Sequence, residues 1–355
     1  MAHAAEEPRL VRYDSPSAFL RATLSFDTWH MNFALGTALQ FLVEVGDAGT
    51  MPGQPCLWLA VWTGDTLDIA LVRTSTVMTL CAPKHSTSLS ADWLEPRIQL
   101  PASAIHSLIS SGAQPVLTSI TGATLLVDKF TTLYAALSGI TPTEGPTILD
   151  TLHSHCPRNR VNLHPPQLPK EHVIYIVDPD DTTALPRLAK LLQDWRAHVG
   201  GPGAHITLEQ AAKDAEVGIR FREFMVYTVR DVEGKEEWAG CVRHGRITSR
   251  HGTVRNLFTV PQYRRRGIAQ ALTHAATVRL LSEPNPMREA LATLGVPGTE
   301  TALEDAQIIA QKANLSAQRI YTQVGYGFPV GEWDEEDGMS WEDCVEVGYP
   351  GSTGQ

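Results

Sequence analysis

The chain has few of the features that carry a protein into a membrane or out of a cell. No stretch approaches the roughly 18 consecutive apolar residues that a membrane span requires. The first residues, MAHAAEEPRL, lack the charged-then-apolar build of a secretory signal. Cysteine is scarce: Cys56, Cys81, Cys156, Cys241 and Cys344 are odd in number and without paired spacing, which suits a reducing compartment and predicts no disulfides. Basic charge is in deficit, 29 Lys and Arg against 39 Asp and Glu for a formal net charge of −10, which argues against a general affinity for nucleic acid. These absences lead to the expectation of a soluble, cytoplasmic protein with neither a membrane nor a nucleic-acid partner.

What is present is enough for two domains: 355 residues, 43% of them hydrophobic. The stretch from His153 to His172, HSHCPRNRVNLHPPQLPKEH, is rich in proline and poor in periodicity, and reads as an interdomain connection on the surface. The expected division is 1–165 and 166–355. The spacing of His153, His155, Cys156, His164 and His172 matches no familiar zinc set, so no metal is expected. Before the boundary, Cys56 to Arg73 reads as two strands around a Thr-Gly-Asp turn, with a further strand from Thr76 to Cys81. After it come a strand (His172 to Val177), helices, and strands at Phe224 to Arg230 and Glu237 to Arg243 around Val232-Glu-Gly-Lys235. The similar order suggests two copies of one α/β unit. The first helix of the second half starts near Thr183 or Ala184 and stops at Gly200-Gly201. Its stripe of Leu188, Leu191, Leu192, Trp195 and Val199 predicts a core face without chemistry.

Residues 254 to 283 read VRNLFTVPQYRRRGIAQALTHAATVRLLSE. A β-branched and aromatic run, Val254 to Val260, leads through a short turn into a helix whose inner face is Ile268, Ala271, Leu272, Ala275 and Val278. A glycine at such a helix start lets backbone N–H groups converge on a phosphate, helped by the helix dipole. Arg264, Arg265 and Arg266 stand beside that opening in an otherwise acidic chain, and guanidinium groups pair well with phosphate oxygens. A polyphosphate ligand is expected.

Arg264-x-x-Gly267-x-Ala269 after a strand resembles the pyrophosphate loop of the GCN5-related N-acetyltransferases, the GNAT superfamily. Asn314, then Tyr321 seven residues on, then Val324-Gly-Tyr326, resembles that superfamily's later motif, in the same order along the chain. The helix between them is legible by itself, with Ser316 as a plausible N-cap and Gly325 as its C-terminal glycine. The resemblance implies an α/β (α+β) fold: a C-terminal GNAT domain with a mixed, mainly antiparallel sheet flanked by helices, and a degenerate GNAT-like N-terminal domain. It implies acetyl-CoA as cosubstrate and transfer of acetyl to a primary amine, of a small molecule, by direct attack in a ternary complex. A protein or peptide acceptor and a CoA-binding module without turnover are the alternatives.

The resemblance also distributes roles. Backbone amides of Arg264, Arg265, Arg266, Gly267, Ile268, Ala269 and Gln270 would hold the pyrophosphate; Leu257, Phe258 and Thr259 would line the pantetheine and acetyl group. Asn314 would contact the pantetheine arm or an ordered water, and Tyr321 would protonate the departing thiolate. No glutamate stands on Val254 to Val260, where many members carry the general base, which leaves His244, His251 and Glu223 as candidates. The acidic stretch Gly331 to Glu346 reads as a solvated loop or a negative rim for a cationic amine. Residues 284 to 306 read as an insertion over or beside the acceptor cleft. The N-terminal half has no Arg or Gln followed by x-x-Gly-x-[Gly/Ala], so no CoA is expected there.

Overall fold

The computed structural model describes residues 6–350 except 48–49, 52–53, 144–147, 163, 165, 200–204, 231–232, 297–300 and 330–339. The Gly200-Gly201 helix end, the start of the Val232 turn and the acids Glu332 to Asp337 thus lie outside the described residues.

The N-terminal half runs β1 (Arg9–Tyr13), α1 (Pro16–Thr23), α2 (Asn32–Val45), a small pair β2 (Thr50–Met51) and β3 (Gln54–Pro55), then β4 (Leu57–Thr63), β5 (Thr66–Arg73), β6 (Val77–Cys81), α3 (Ala91–Ser110), β7 (Ser119–Ala123), α4 (Thr124–Ser138) and β8 (Leu149–Pro157). The C-terminal half runs β9 (His172–Ile176), α5 (Ala184–Val199), α6 (Leu208–Arg220), β10 (Phe224–Arg230), β11 (Glu236–Gly245), β12 (His251–Thr259), α7 (Ile268–Ser282), α8 (Arg288–Thr293), β13 (Asp305–Gln311), α9 (Leu315–Val324) and β14 (Trp341–Gly348). Setting aside the small pair and α8, the two halves repeat one order.

Local chemistry explains the boundaries. Ser15 caps α1, with Pro16 at its first position. Thr207 and Gln210 close a capping box on α6. Gly64, at φ 57°, supplies the left-handed residue of the β4–β5 hairpin.

Among the described residues twelve strands form one sheet in the order β1-β4-β5-β6-β7-β14-β8-β13-β12-β11-β10-β9. All neighbours are antiparallel except β6–β7 and β12–β13. The centre is an exchange: β8 leaves the N-terminal half to pair with β13, and β14 leaves the C-terminal half to pair with β7. The largest core cluster follows the exchange, joining Phe19, Leu35 and Leu39 to Ile268, Leu272 and Phe328. Each half therefore completes the other's sheet and shares its core.

Two sequence expectations change here. His153, His155 and Cys156 are not in a surface connection but on β8, in the middle of the sheet; the irregular connection begins after Pro157. Polar residues there escape a hydrophobicity reading because partners far along the chain face them: Gln307 bonds His153, the Ser340 carbonyl accepts from the Ser154 hydroxyl, and Asp305 lies 3.6 Å from His155. Of the acidic stretch, Glu342, Asp343 and Glu346 belong to β14 rather than to a loop; Glu342 is buried against His30 (3.2 Å) and the Ser86 amide (2.7 Å). Among the described residues Cys81, Cys156, Cys241 and Cys344 form no disulfide. Among the described residues no helix is long and apolar enough to cross a membrane.

Candidate active site

β12 and β13 pair only from His251–Asp305 to Val254–Ile308, although β12 continues to Thr259 and β13 to Gln311. Past Val254 the strands part. Asn256 lies at that point with φ 53°, and the register with β11 shifts nearby, between Cys241 and Arg243. Such an irregularity bends a strand and ends its pairing. Leu257, Phe258 and Thr259 are left bordering an open cleft of about 630 Å³.

The turn after β12 forms one end of the cleft. Pro261 to Tyr263 make one tight helical turn; Arg265 (φ 62°) and Gly267 (φ 77°) are left-handed, and α7 begins at Ile268 without a side-chain cap. Ala271 is the first residue to bond back, to the Gly267 carbonyl at 3.0 Å. The N–H groups of Ile268, Ala269 and Gln270 thus have no partner within the helix and stand at its positive end, beside the cleft. A Cβ built on Gly267 meets nothing within 4 Å, so the space above the glycine is open.

The arginines divide. Arg264 turns back to the Thr259 carbonyl (3.2 Å) and to His198 (3.3 Å), and Arg265 borders the cleft. Arg266 does not; its guanidinium stacks 5.4 Å over the Tyr263 ring. The backbone presents the amides without helical partners, and the arginine side chains surround them.

α9 brings the second motif to the same cleft. Asn314, not Ser316, is its N-cap: the Asn314 Oδ1 accepts from the Ala317 amide at 3.1 Å. Ser316 sits two residues too far into the helix to reach that amide. Tyr321, 7% exposed, packs its ring on Tyr326 and Phe328 (centroids 6.3 and 5.9 Å). Burial raises its pKa, so the phenol keeps its proton at neutral pH. The helix ends at Gly325, where a Cβ would lie 2.4 Å from the Arg160 carbonyl oxygen.

A second cleft, of about 300 Å³, continues from the first and shares Val199, Leu257, Asn314, Ala317 and Tyr321 with it. It runs between α5 and the sheet, past Trp195, Thr253 and Arg246. Leu257, Phe258, Thr259, Arg264, Arg265, Gly267, Ile268, Ala269, Gln270, Asn314 and Tyr321 all border the first cleft; of the expected site only Arg266 stands outside it.

No protein-family model and no curated protein matches the sequence. Solved structures do match. A tandem GNAT protein from the clavulanic acid biosynthesis pathway, solved without acetyl-CoA, aligns over 96% of this chain and 98% of its own at a TM-score of 0.50 and 11% identity. A Drosophila protein aligns over the same shares, with a TM-score of 0.52 and 12% identity.

The chain has the tandem GNAT fold. In it the two halves differ where the ligand cleft would form. In the N-terminal copy the parallel pair β6–β7 stays joined from Val77–Ser119 to Leu80–Gly122, one residue short of both strand ends, so no gap opens. The start of α3 is closed by Ser90, whose hydroxyl accepts from the Trp93 amide at 3.3 Å. A cleft of about 250 Å³ nevertheless lies over β6, β7 and β14.

Other expectations of the GNAT pattern are corrected by burial. Glu223 is 3% exposed and bound by Arg243 at 2.6 Å. His244 is buried, which pulls its pKa down to about 3. His251 is held between Asp305 (2.9 Å) and Asp27 (3.8 Å). None of the three borders the two joined clefts, so none takes a proton there directly. The α8 region lies elsewhere as well: Met287 and Leu291 are buried in the shared core, and Pro286 and Glu289 border a separate hollow with Glu223 and His244.

Sequence reasoning missed Trp195, Val199, His198, Arg246 and Arg255. Trp195 and Val199 were legible as a helix stripe, but the end of that stripe also borders the clefts, Trp195 while packing on the core of its own half. Arg246 carries no motif; its role depends on which strands the exchange brings beside it.

Proposed function

We propose that the protein is an acetyl-CoA-dependent N-acetyltransferase acting on a primary amine of a small molecule, with Tyr321 as general acid. The carrying observation is that Tyr321 borders both the cleft at the start of α7 and the second, inner cleft, where the two meet. In this reading residues 1–165 and 166–355 are two copies of the fold that exchange their last strands, and only the second holds the cosubstrate.

The residues present fit that cosubstrate. The free amides of Ile268, Ala269 and Gln270 and the open space over Gly267 suit a pyrophosphate. The gap between β12 and β13 suits an extended arm, and the buried Thr259 Oγ1, without a hydrogen-bond partner among the described residues, would bond it. When bound, acetyl-CoA supplies the activated acyl carbon.

The amine, arriving neutral through the inner cleft, attacks the thioester carbonyl; a C–N bond forms and the C–S bond breaks. Tyr321 gives its hydroxyl proton to the sulfur, and the proton lost by the attacking nitrogen leaves through solvent in the cleft. The volume of the inner cleft, about 300 Å³, favours a small acceptor over a peptide. The test is thiol release from acetyl-CoA across a panel of amines, beside calorimetric titration of CoA. Absence of CoA binding would remove the proposal; CoA binding without turnover on any amine would favour a binding module.

A further inference from the structure

The inner cleft does not end at β13. It meets the cleft of the N-terminal half across the exchanged strands, and Leu149, Thr151, Arg246 and Ile309 border both. The result is one trough lying over the seam between the two copies, with Arg246 at its middle.

Arg246 is held there by its backbone. Its φ of 46° is left-handed, a conformation costly for a side-chain-bearing residue. α2 presses on the same peptide: a Cβ on Gly36 would fall 2.5 Å from the Arg246 carbonyl oxygen. The guanidinium lies 4.7 Å over the Phe33 ring. Among the described residues it makes neither an ion pair nor a hydrogen bond, whereas Arg243 is fully matched by Glu223 and Asp214 at 2.6 and 2.7 Å.

The surroundings leave that charge unanswered. Arg246 and Arg255 are the only charged side chains that border the inner cleft among the described residues, and Arg255 reaches Glu223 at 3.9 Å. In the N-terminal part, Glu342 is taken by His30 and the Ser86 amide, Lys84 adds positive charge, and Glu346 feels the field of Arg246 without pairing with it. A stacked, unpaired guanidinium that faces a cleft from a fixed, left-handed backbone is a fork prepared for a planar anion.

We infer that the acceptor carries a carboxylate, bound by Arg246 in the trough between the two halves, while its amine reaches Tyr321. This rests on the acetyltransferase reading of the site and replaces the expectation of a purely cationic amine. It also gives the N-terminal half a task, because Phe33 and Gly36 of α2 set the fork in place.

The experiment measures binding to the CoA-loaded protein by calorimetry, and turnover where it occurs, for ω-amino acids from β-alanine to aminohexanoate, their amides, and putrescine. The acids should be preferred over their amides at least tenfold. In Arg246→Gln that preference should vanish while CoA affinity stays as in the parent. Arg246→Lys keeps the charge and loses the fork; it should retain part of the preference, and it serves if the glutamine variant does not fold. Equal use of acid and amide by the parent, no binding of any acid, or an equal loss for acid and amide in Arg246→Gln would overturn the inference. Failure of CoA itself to bind would instead sink the acetyltransferase reading; acid binding sensitive to Arg246 would then still support the fork.

Discussion

Replacing Gly267 with valine tests the phosphate loop at its narrowest point. At φ 77° a residue with a side chain costs about 1–2 kcal/mol relative to glycine, and a β-branched one lies at the upper end. Nothing lies within 4 Å of the new Cβ, so no packing clash adds to this, and the variant should fold with a melting temperature only a few degrees lower. The ligand meets a different situation. The methyl groups would stand in the open space beside the amides of Ile268, Ala269 and Gln270, where the pyrophosphate belongs. Loss of one charge-assisted hydrogen bond is worth about 1.5–3 kcal/mol, which corresponds to roughly 10- to 150-fold in affinity. Calorimetric titration with CoA should show that loss, and pantetheine, which has no phosphate, should bind the variant and the parent alike. A folded Gly267→Val with parental CoA affinity would refute the placement of the phosphates.

Tyr321→Phe keeps the ring packed on Tyr326 and Phe328 and removes the proton, so turnover should fall on the order of a hundredfold with CoA affinity nearly unchanged; full activity in stopped-time thiol assays would return Tyr321 to the core. Stability should fall on acidification. Burial pulls His153 and His244 down to about 3, so below about pH 6.5 the unfolded chain binds more protons than the folded one, and each histidine removes about 1.4 kcal/mol per pH unit. Glu342 acts in the same direction lower down: burial opposes its anion, but hydrogen bonds from His30 and Ser86 outweigh that and hold it at about 2, a contribution present above about pH 4.5 and lost below. His251 works against this loss, because burial opposes its charge but Asp305 and Asp27 outweigh burial and raise its pKa. Urea titrations should therefore show lower stability at pH 5 than at pH 7.5, but by less than the two depressed histidines alone would give; equal or higher stability at pH 5 in a variant lacking His251 would contradict the burial of His153 and His244. Because the halves exchange β8 and β14 and share a core, heating should give one cooperative transition, with calorimetric and van't Hoff enthalpies in agreement; two separated transitions would argue against the shared centre.

Much of the cleft was legible because its elements are local. Strand, turn, glycine and helix from Val254 to Ser282 are consecutive, and the propensities of those residues, with the left-handed Gly267, dictate where amides are left free. The spacing from Asn314 to Tyr321 is two turns of one helix, so it too could be read without the fold, although the cap fell on Asn314 rather than Ser316. Buried polar strands were not legible. His153 and His155 look like surface residues until Gln307 and Asp305 are placed opposite them.

By itself the sequence determined the repeated order of strands and helices, the glycine-led helix start whose first amides are left without helical partners, and the absence of that start from the first half. Those properties follow from short-range periodicity and backbone chemistry. Only the tertiary structure decided the exchange of β8 and β14, the burial of Glu223, His244 and His251 away from the clefts, and the position of Arg246 over the seam. Each of these depends on a partner far along the chain, and pairing across hundreds of residues is set by which faces and edges fit together, not by any local pattern.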